Sequence, residues 1–433
     1  MRWIFDALFA AADAKLEDHL ELFQADVLAR HAWRQGGLLD LYANTERSAQ
    51  AIREFAGEEN ADAYLDFCAR SADIYATLRE PYIASPRPGM FELVQRVGFT
   101  RLDAMWRTAP FTSLWRALGQ HFSDPRLQQL FARYATYVGS SPLQAPATLM
   151  LIAHVEQDGV WLVKGGMRAV ALALQEIAEG LGATFCFDDG AQELLVEAGR
   201  VIGARTQSGR EFRAESVVFN GDISVLGTGL LGREVSSAVT AVRPAQRALS
   251  AITYCVYGRV SGLDLHYHNV FFADDYPEEF RAIFGRGEIT EYPTVYVCAQ
   301  DRVGDARPEG AERLLLLINA PADGDRVTRE SEVLDAYFSG VIRLLAECGC
   351  KLDVDDQSVV PTAPAGFNTR FPGSGGSLYG RVNHGPMASF SRPGARSRVP
   401  GLYLAGGSVH PGAGVPMSAM SGRLAAAAVI EDA

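Results

Sequence analysis

The chain has 433 residues, and 52 acidic against 40 basic side chains give a formal net charge of −12 at pH 7. This length predicts two or three domains, and 48% hydrophobic with 21% charged residues excludes a mainly disordered chain. The acidic balance argues against nucleic acid as a partner, and the apolar runs are too short and too interrupted by acids to predict a transmembrane helix or a signal peptide.

The sequence predicts neither a disulfide framework nor a metal site. Six cysteines are scattered along the chain, and only Cys348 and Cys350 are close together, which is typical of reduced thiols in a cytosolic compartment. His266 and His268 form a His-x-His pair, but no carboxylate cluster accompanies them, so the pattern favours ordinary strand alternation over a metal pair.

The first part of the chain mixes helix and strand patterns. Apolar residues from Phe5 to Ala12 recur at helical spacing, and residues 38–41 read as a short strand after a Gly-Gly turn. The Pro- and Gly-rich residues 85–89 predict a boundary between segments.

Residues 91–122 form an aromatic, helix-rich stretch with two possible interpretations. Its apolar side chains are Phe99, Leu102, Trp106, Phe111, Leu114, Trp115 and Leu118, and its interleaved arginines are Arg96, Arg101, Arg107 and Arg116. Buried helices explain the apolar positions. A patch at a membrane surface, led by Phe99, Trp106, Phe111 and Trp115, explains the mixture of aromatic rings and arginines.

The middle of the chain alternates strand, helix and strand patterns. A strand at 161–163 leads into Gly165 and Gly166, and a helix follows that ends near Gly182. Four strands are then predicted in succession, at 184–187, 193–196, 201–206 and 216–219.

Two further strands and a helix are predicted later in the chain. The strands cover 294–299 and 314–318, and the second contains no polar residue, which is typical of a strand buried on both faces. A helix is predicted at 331–348. Residues 366–416 contain 12 glycines and 6 prolines, and the apolar strand patterns among them favour ordered loops.

The C-terminal segment has the pattern most informative about chemistry. A strand is predicted at 402–405, Gly406 and Gly407 follow it, and a Pro/Gly loop leads to an Ala-rich helix from about Met417 to Ile430. Glycines allow close approach of a ligand, and a helix N-terminus offers unpaired N–H groups and partial positive charge. A ligand cradle and a simple tight β–α corner both fit this pattern.

A G-x-G-x-x-G string at 227–232 lacks the context of a dinucleotide-binding loop. No strand directly precedes it, and no acidic residue lies about 20 positions further on, because position 247 is Arg. We interpret it as a chance match.

With these residues in view, the chain resembles the flavin-dependent carotenoid desaturases, the phytoene-desaturase-like branch of the amine-oxidase superfamily. Within them it is most similar to the 1-hydroxycarotenoid 3,4-desaturases, or methoxyneurosporene dehydrogenases, of purple bacteria. The supporting strings span essentially the whole chain: 124–127, 133–142, 161–167, 293–302, 375–380 and 402–426.

The resemblance implies a mixed α/β fold with a Rossmann-like FAD-binding domain and an inserted substrate-binding domain. It divides the chain into a substrate and membrane-contact part (1–155), a middle FAD-domain part (156–225), a second substrate part (226–365) and a C-terminal FAD-domain part (366–433). The family opens with a β-α-β unit carrying G-x-G-x-x-G, and no segment here matches it. We therefore expect an N-terminally incomplete member with weak flavin retention.

The resemblance also implies the cofactor, the partners and the site residues. FAD would contact Gly406 and Gly407 at its pyrophosphate or ribityl chain, and Gly414, Val415, Pro416 and Met417 would lie against its ring system. A carotenoid would enter an apolar tunnel from the membrane surface, with the protein peripheral on its cytoplasmic side. No electron acceptor follows from the resemblance. The candidates for catalytic polar groups near the tunnel end are Asp124, Arg126 and Arg133. A structural ion-pair role is the alternative for these residues.

Three hypotheses follow. The first is an FAD-dependent 3,4-desaturase of an acyclic 1-hydroxycarotenoid, because flavin accepts a hydride and conjugation stabilises the cation left behind. The second is desaturation of phytoene or another carotenoid, or an isomerisation. The third is an inactive, flavin-free homologue that only binds lipid or carotenoid.

Overall fold

The computed structural model describes residues 1–98, 102–304 and 306–433. Phe99 and Arg101, which belong to the predicted aromatic stretch, lie outside the described residues. The α-helices of the described part are α1 (Trp3–Ala10), α2 (Leu16–His19), α3 (Thr45–Ala56), α4 (Glu58–Leu78), α5 (Met90–Val97), α6 (Leu102–Arg107), α7 (Leu114–His121), α8 (Pro125–Ala132), α9 (Leu151–Gln157), α10 (Met167–Gly180), α11 (Ser224–Gly227), α12 (Tyr276–Arg281), α13 (Ser331–Glu347), α14 (Pro364–Arg370) and α15 (Val415–Asp432).

The strands alternate with these helices along the chain. They are β1 (Leu22–Gln24), β2 (Val27–Trp33), β3 (Leu38–Tyr42), β4 (Trp161–Val163), β5 (Ala191–Glu197), β6 (Arg200–Thr206), β7 (Glu211–Arg213), β8 (Val217–Phe219), β9 (Ser250–Gly262), β10 (His268–Phe272), β11 (Val295–Ala299), β12 (Glu312–Ala320), β13 (Cys350–Thr362) and β14 (Leu402–Leu404). No helix of the described part combines the length and the hydropathy needed to cross a bilayer.

A seven-stranded mixed sheet organises the larger part of the molecule. Its strand order is β13-β9-β12-β11-β10-β2-β3, and the neighbours are antiparallel except for the parallel pair β10 and β2, in which Val270 lies opposite His31. The predicted strands at 38–41, 294–299 and 314–318 are confirmed as β3, β11 and β12. The sheet thus joins the first and the third of the four predicted segments, and the four-part division itself stays a prediction.

The expectation that residues 314–318 are buried on both faces is wrong. Leu314, Leu316 and Ile318 are buried against α13, whereas Leu315 and Leu317 keep intermediate exposure on the opposite face. Leu317 pairs in register with Tyr296, which is also partly accessible. The second face of the sheet therefore is not packed as tightly as the first.

Three smaller sheets lie beside the large one. Strands β5, β6 and β7 form an antiparallel meander, β8 pairs in parallel with β14, and β1 pairs with β4. The strand predicted at 184–187 does not form. This segment has no strand partner, and the Phe185 and Phe187 rings stack on each other while 41% and 65% exposed. A strand needs hydrogen bonds from a neighbour, and the sequence pattern alone does not supply one.

The sheet is covered by helices on both faces, and the C-terminal helix packs beside the main helical core. Helices α3, α4, α7 and α8 form the main core on one face of the sheet, and α13 covers the other. Met420 of α15 packs with Ile4 of α1 and Tyr75 of α4. The start of α15 therefore lies at the junction between the β8–β14 region and the helical core.

Candidate active site

The loop between β14 and α15 approaches this junction with an unusual backbone. The predicted strand at 402–405 and the Ala-rich helix are confirmed, with the helix beginning at Val415. Gly406, Gly412 and Gly414 have φ values of 109°, 148° and 115°, which side-chain-bearing residues rarely adopt. Gly414 precedes the helix without any side-chain cap, so backbone N–H groups of the first turn stay available to a ligand.

The glycines of this loop serve two different purposes. A Cβ on Gly406 would lie 3.1 Å from Oδ1 of Asn220, so this glycine permits close packing against the end of β8. A Cβ on Gly412 would meet no atom within 4 Å, and one on Gly414 would touch only Met417. The second half of the loop therefore faces open space, as a ligand-binding backbone requires.

That open space belongs to an apolar cavity of about 540 Å³. Of the six residues predicted to contact the cofactor, Gly414, Pro416 and Met417 border it, whereas Gly406, Gly407 and Val415 do not. The cavity extends past Tyr137 on the helical core and reaches the surface beside Trp106 and Phe111, which are 74% and 70% exposed. Its apolar walls suit a hydrocarbon ligand.

A buried arginine holds the loop in place. Arg392 is 2% exposed and borders the cavity, and it donates to the carbonyl oxygens of Gly407 (2.8 Å), Tyr379 (2.9 Å) and Arg381 (3.0 Å). No ion pair with a carboxylate is found for it in the described part, and its Nε has no partner. Burial lowers the pKa of Arg392 to about 10, which leaves it charged at neutral pH.

These features fit a flavin. Backbone N–H groups at the start of α15 and the Arg392 cation both favour negative charge beside the loop, and Gly412 and Gly414 leave room for a planar ring. Two more buried polar atoms near the loop lack partners, Oδ1 of Asn383 and Nδ1 of His410. Sequence reasoning missed Arg392, because a single arginine in a Pro/Gly-rich loop carries no pattern.

A second polar group lies on the helical side of the cavity. Arg133 donates to the Tyr137 hydroxyl (2.8 Å), and Glu156 accepts from the hydroxyls of Tyr137 (2.6 Å) and Tyr134 (2.8 Å). We call these four residues the Arg133 cluster. Burial raises the pKa of Glu156, and the hydrogen bonds from Tyr137 and Tyr134 oppose that shift.

The other two sequence candidates lie elsewhere. Asp124 is the N-cap of α8 and accepts from the backbone N–H of Arg126 (2.8 Å), while the Arg126 guanidinium pairs with the same carboxylate (2.6 Å). Arg126 also stacks over Phe55, 3.8 Å from its ring centre. None of the three candidates lines the cavity, and only Arg133 contacts a residue that does, Tyr137, so the structure does not bring the three together.

His266 and His268 have separate partners. His266 lies 3.5 Å from the Asp40 carboxylate, and Nδ1 of His268 lies 2.6 Å from the Tyr296 hydroxyl. Within the described ranges no group of three or more potential ligands could hold a metal ion. The G-x-G-x-x-G string begins at the end of the four-residue helix α11 and continues as turns.

Residues 16–430 match the family model of flavin containing amine oxidoreductases. The chain is 51% identical over 98% of its length to a hydroxyneurosporene desaturase of Rubrivivax gelatinosus, of which it covers 82%. It is 30% identical over 73% of its length to a 1-hydroxycarotenoid 3,4-desaturase of a Flavobacterium species, covering 65% of it. It is 27% identical over 88% of its length to a phytoene desaturase of Neurospora crassa, covering 66% of it.

Among solved structures, the fold is similar to that of an oxidoreductase from Methanosarcina mazei, with a TM-score of 0.52 at 14% identity over 99% of this chain and 85% of the other. Cyclohexylamine oxidase from Brevibacterium oxydans gives a TM-score of 0.51 at 13% identity, with the same coverage.

Proposed function

We propose that this chain, which belongs to the flavin-containing amine oxidoreductases and among them to the carotenoid desaturases, introduces the 3,4 double bond into an acyclic 1-hydroxycarotenoid. The observation that carries this proposal is the apolar cavity between the glycine loop and Tyr137 of the Arg133 cluster. The glycine-loop wall suits a cofactor, and the opposite wall leads to the polar Arg133 cluster. A polyene with one oxygenated end would place its hydrocarbon chain in the cavity and its oxygen near the cluster. The similarity to a hydroxyneurosporene desaturase supports the same substrate class.

The proposed cofactor is FAD. The backbone of Gly412 and Gly414 and the first turn of α15, with Val415, Pro416 and Met417, would hold its ring system, while Gly406 and Gly407 anchor the loop to β8 and Arg392. Bound flavin supplies a hydride acceptor. The chain contributes a cavity wall that orients the polyene and excludes water.

The walls provide no strong base, and none is required. Arg392 is the single charged side chain among the described residues that border the cavity, and it holds its protons at neutral pH. Removal of a hydride from a polyene leaves a cation that conjugation stabilises, so the remaining proton is acidic enough to pass to a weak acceptor. The backbone and the apolar side chains therefore serve mainly for positioning.

We propose that the mouth of the cavity contacts the cytoplasmic face of a membrane, from which the substrate enters. The rings of Trp106 and Phe111 lie 5.9 Å apart and tilted by 43° at this mouth, and Met90, which is 40% exposed, borders it as well. The residues of the aromatic stretch that follow Phe111 are not at the mouth. Leu114 and Leu118 are core residues, and Trp115 is only half-buried and packs against that core.

Product analysis tests the proposal. The protein is supplied with FAD, flavin binding is checked by the visible spectrum, and 1-hydroxyneurosporene or phytoene is offered in liposomes. We expect a product absorbing at longer wavelength from the hydroxylated polyene only. Conversion of phytoene instead, or conversion of neither polyene while flavin is bound, contradicts the proposed substrate.

A further inference from the structure

Arg133 has more hydrogen-bond donors than its protein neighbours use. A guanidinium carries five N–H groups, and within the described part of the chain the Tyr137 hydroxyl is the only hydrogen-bond acceptor found for the Arg133 side chain. It makes no direct ion pair with Glu156, because Tyr137 lies between them. No Arg133 nitrogen is among the buried polar atoms of the described residues that lack a partner, so the remaining N–H groups keep accessible surface and can donate to a ligand.

The unused donors lie next to the cavity that Tyr137 borders. Arg133, Tyr137 and Tyr296 each keep intermediate accessible surface, although burial is the largest influence on the pKa of all three. Of these three residues only Tyr137 lines the cavity, and through its hydrogen bond to Tyr137 the Arg133 guanidinium lies next to that cavity. The guanidinium also lies 5.0 Å from the Tyr137 ring centre and 5.4 Å from that of Tyr296.

Arg133 is the charged hydrogen-bond donor among its neighbours. Two groups of its own cluster, Glu156 and Tyr137, interact with its charge. So do five residues from other parts of the chain: His31, His268, Tyr276, Tyr296 and Tyr379. Burial lowers the pKa of His268 to about 4 and that of His31 to about 3, so both are neutral at neutral pH. The Tyr276 hydroxyl is buried without a partner.

The Arg133 cluster and the glycine loop meet the same cavity. Tyr137 and Gly412 border the same cavity. On its other side Arg133 acts on Tyr379, whose backbone carbonyl is held by the Arg392 side chain that also holds Gly407. The Arg133 cluster and the glycine loop are therefore linked both through one cavity and through Tyr379.

We propose that Arg133 donates a hydrogen bond to the C1 hydroxyl oxygen of the carotenoid and thereby determines its specificity. This rests on the proposed function. In such a substrate the oxygenated carbon is only two carbons from C3, so an anchor for the oxygen has to lie beside the reacting bond. The long remainder of the polyene would extend toward the mouth at Trp106 and Phe111.

Binding measurements on the full chain test this independently of turnover. Kd values for 1-hydroxyneurosporene and for neurosporene, which differ in hydration at C1 and C2, are measured by quenching of tryptophan fluorescence in detergent. A hydrogen bond from a charged donor favours the hydroxylated polyene by about ten- to one-hundred-fold. We expect Arg133→Met to remove this preference by weakening only the hydroxylated polyene, and Arg133→Lys to retain part of it.

Arg126→Met is the matched control, because Arg126 lies in the same segment but contacts Asp124 and Phe55 and not the cavity residue Tyr137. It should keep the full preference. A preference that survives in R133M, an equal loss for both polyenes, or no preference in the native chain each overturns the inference. If R133M shows no melting transition, R133K decides: its preference must fall several-fold with neurosporene binding unchanged. Failure of the proposed function appears separately, as the wrong product in the turnover assay.

Discussion

Buried arginines in this protein fall into two groups according to their partners. Arg302 makes a two-point ion pair with Glu312 at 2.8 Å and also contacts Asp264, and Arg247 is held in the same way by Asp325. Arg392 and Arg133 have no direct carboxylate partner in the described ranges. Arg133 reaches Glu156 only through Tyr137, and Arg392 is held by carbonyl oxygens. We therefore infer a structural role for the directly paired arginines and a binding role for these two.

Buried histidines should make the stability of the fold depend on pH. His31 is 2% exposed, its Nδ1 lies 3.2 Å from the Leu39 carbonyl oxygen, and it stacks on Phe272. Burial lowers its pKa from 6.5 to about 3. Between these values the unfolded chain binds the proton and the folded chain does not, so the free energy of unfolding decreases as pH falls below 6.5.

We expect this residue to contribute a loss of about 2 kcal/mol between pH 7 and pH 5. His31→Phe keeps an aromatic ring and removes the titration, so its urea denaturation should show a correspondingly smaller difference between the two pH values. His19→Phe, a change at an exposed histidine, is the control. An unchanged pH dependence in H31F would show that other groups govern it.

At the scale of elements, helix ends decide the geometry of the site. Helix α8 begins at Pro125 behind the Asp124 cap and leads directly into the 3-10 turn Arg133–Val138 that carries Arg133 and Tyr137. Helix α15 begins without a cap behind Gly414. A capped start stabilises its helix, whereas an uncapped start leaves backbone N–H groups available to a ligand.

Asp124 should act through helix capping and not through chemistry. Asp124→Ala removes the acceptor for the Arg126 N–H and should lower the free energy of unfolding by about 1 kcal/mol. Asp124→Asn keeps a capping oxygen and should cost much less. Both variants, measured by denaturant melts and by the turnover assay, should keep the preference for the hydroxylated polyene. Loss of turnover in a stable D124N would make Asp124 a catalytic residue instead.

At the scale of the whole molecule, charge and apolar surface are arranged around the cavity mouth. The net charge of −12 opposes binding to an anionic surface. Arg107, which follows Trp106 in the chain, is paired with Asp73 and Asp103, and Arg96 is paired with Glu92. Membrane contact would therefore depend on the exposed aromatic rings more than on the arginines.

Replacing Trp106 and Phe111 together by Asp should abolish flotation with liposomes. Burying one such ring contributes about 1.5–3 kcal/mol, so losing two shifts the partitioning well over ten-fold. Phe187→Asp is the control, because Phe187 is 65% exposed but does not border the cavity. Equal flotation of the double variant and the native protein would assign these rings another role.

Local patterns were sufficient for the C-terminal strand, loop and helix. Residues 402–405, the glycines after them and the Ala-rich helix are all encoded within a few positions, by backbone freedom and helical propensity, and the structure confirms them as β14 and α15. The mixed α/β, flavin amine oxidase fold was likewise predicted from motifs and is supported by the comparisons.

The polar site depended on tertiary structure. Arg133 and Glu156 are separated by 23 positions, Tyr296 comes from the sheet and Arg392 from a distant loop, and no local pattern connects them. The same reason explains why the strand predicted at 184–187 fails, since its apolar pattern is correct but no neighbouring strand lies beside it. Local propensity in the sequence by itself determined where such elements form, because backbone freedom and helix preference act within a few positions. The pairing of β14 with β8, burial and the unpartnered donors of Arg133 arise only where distant segments meet.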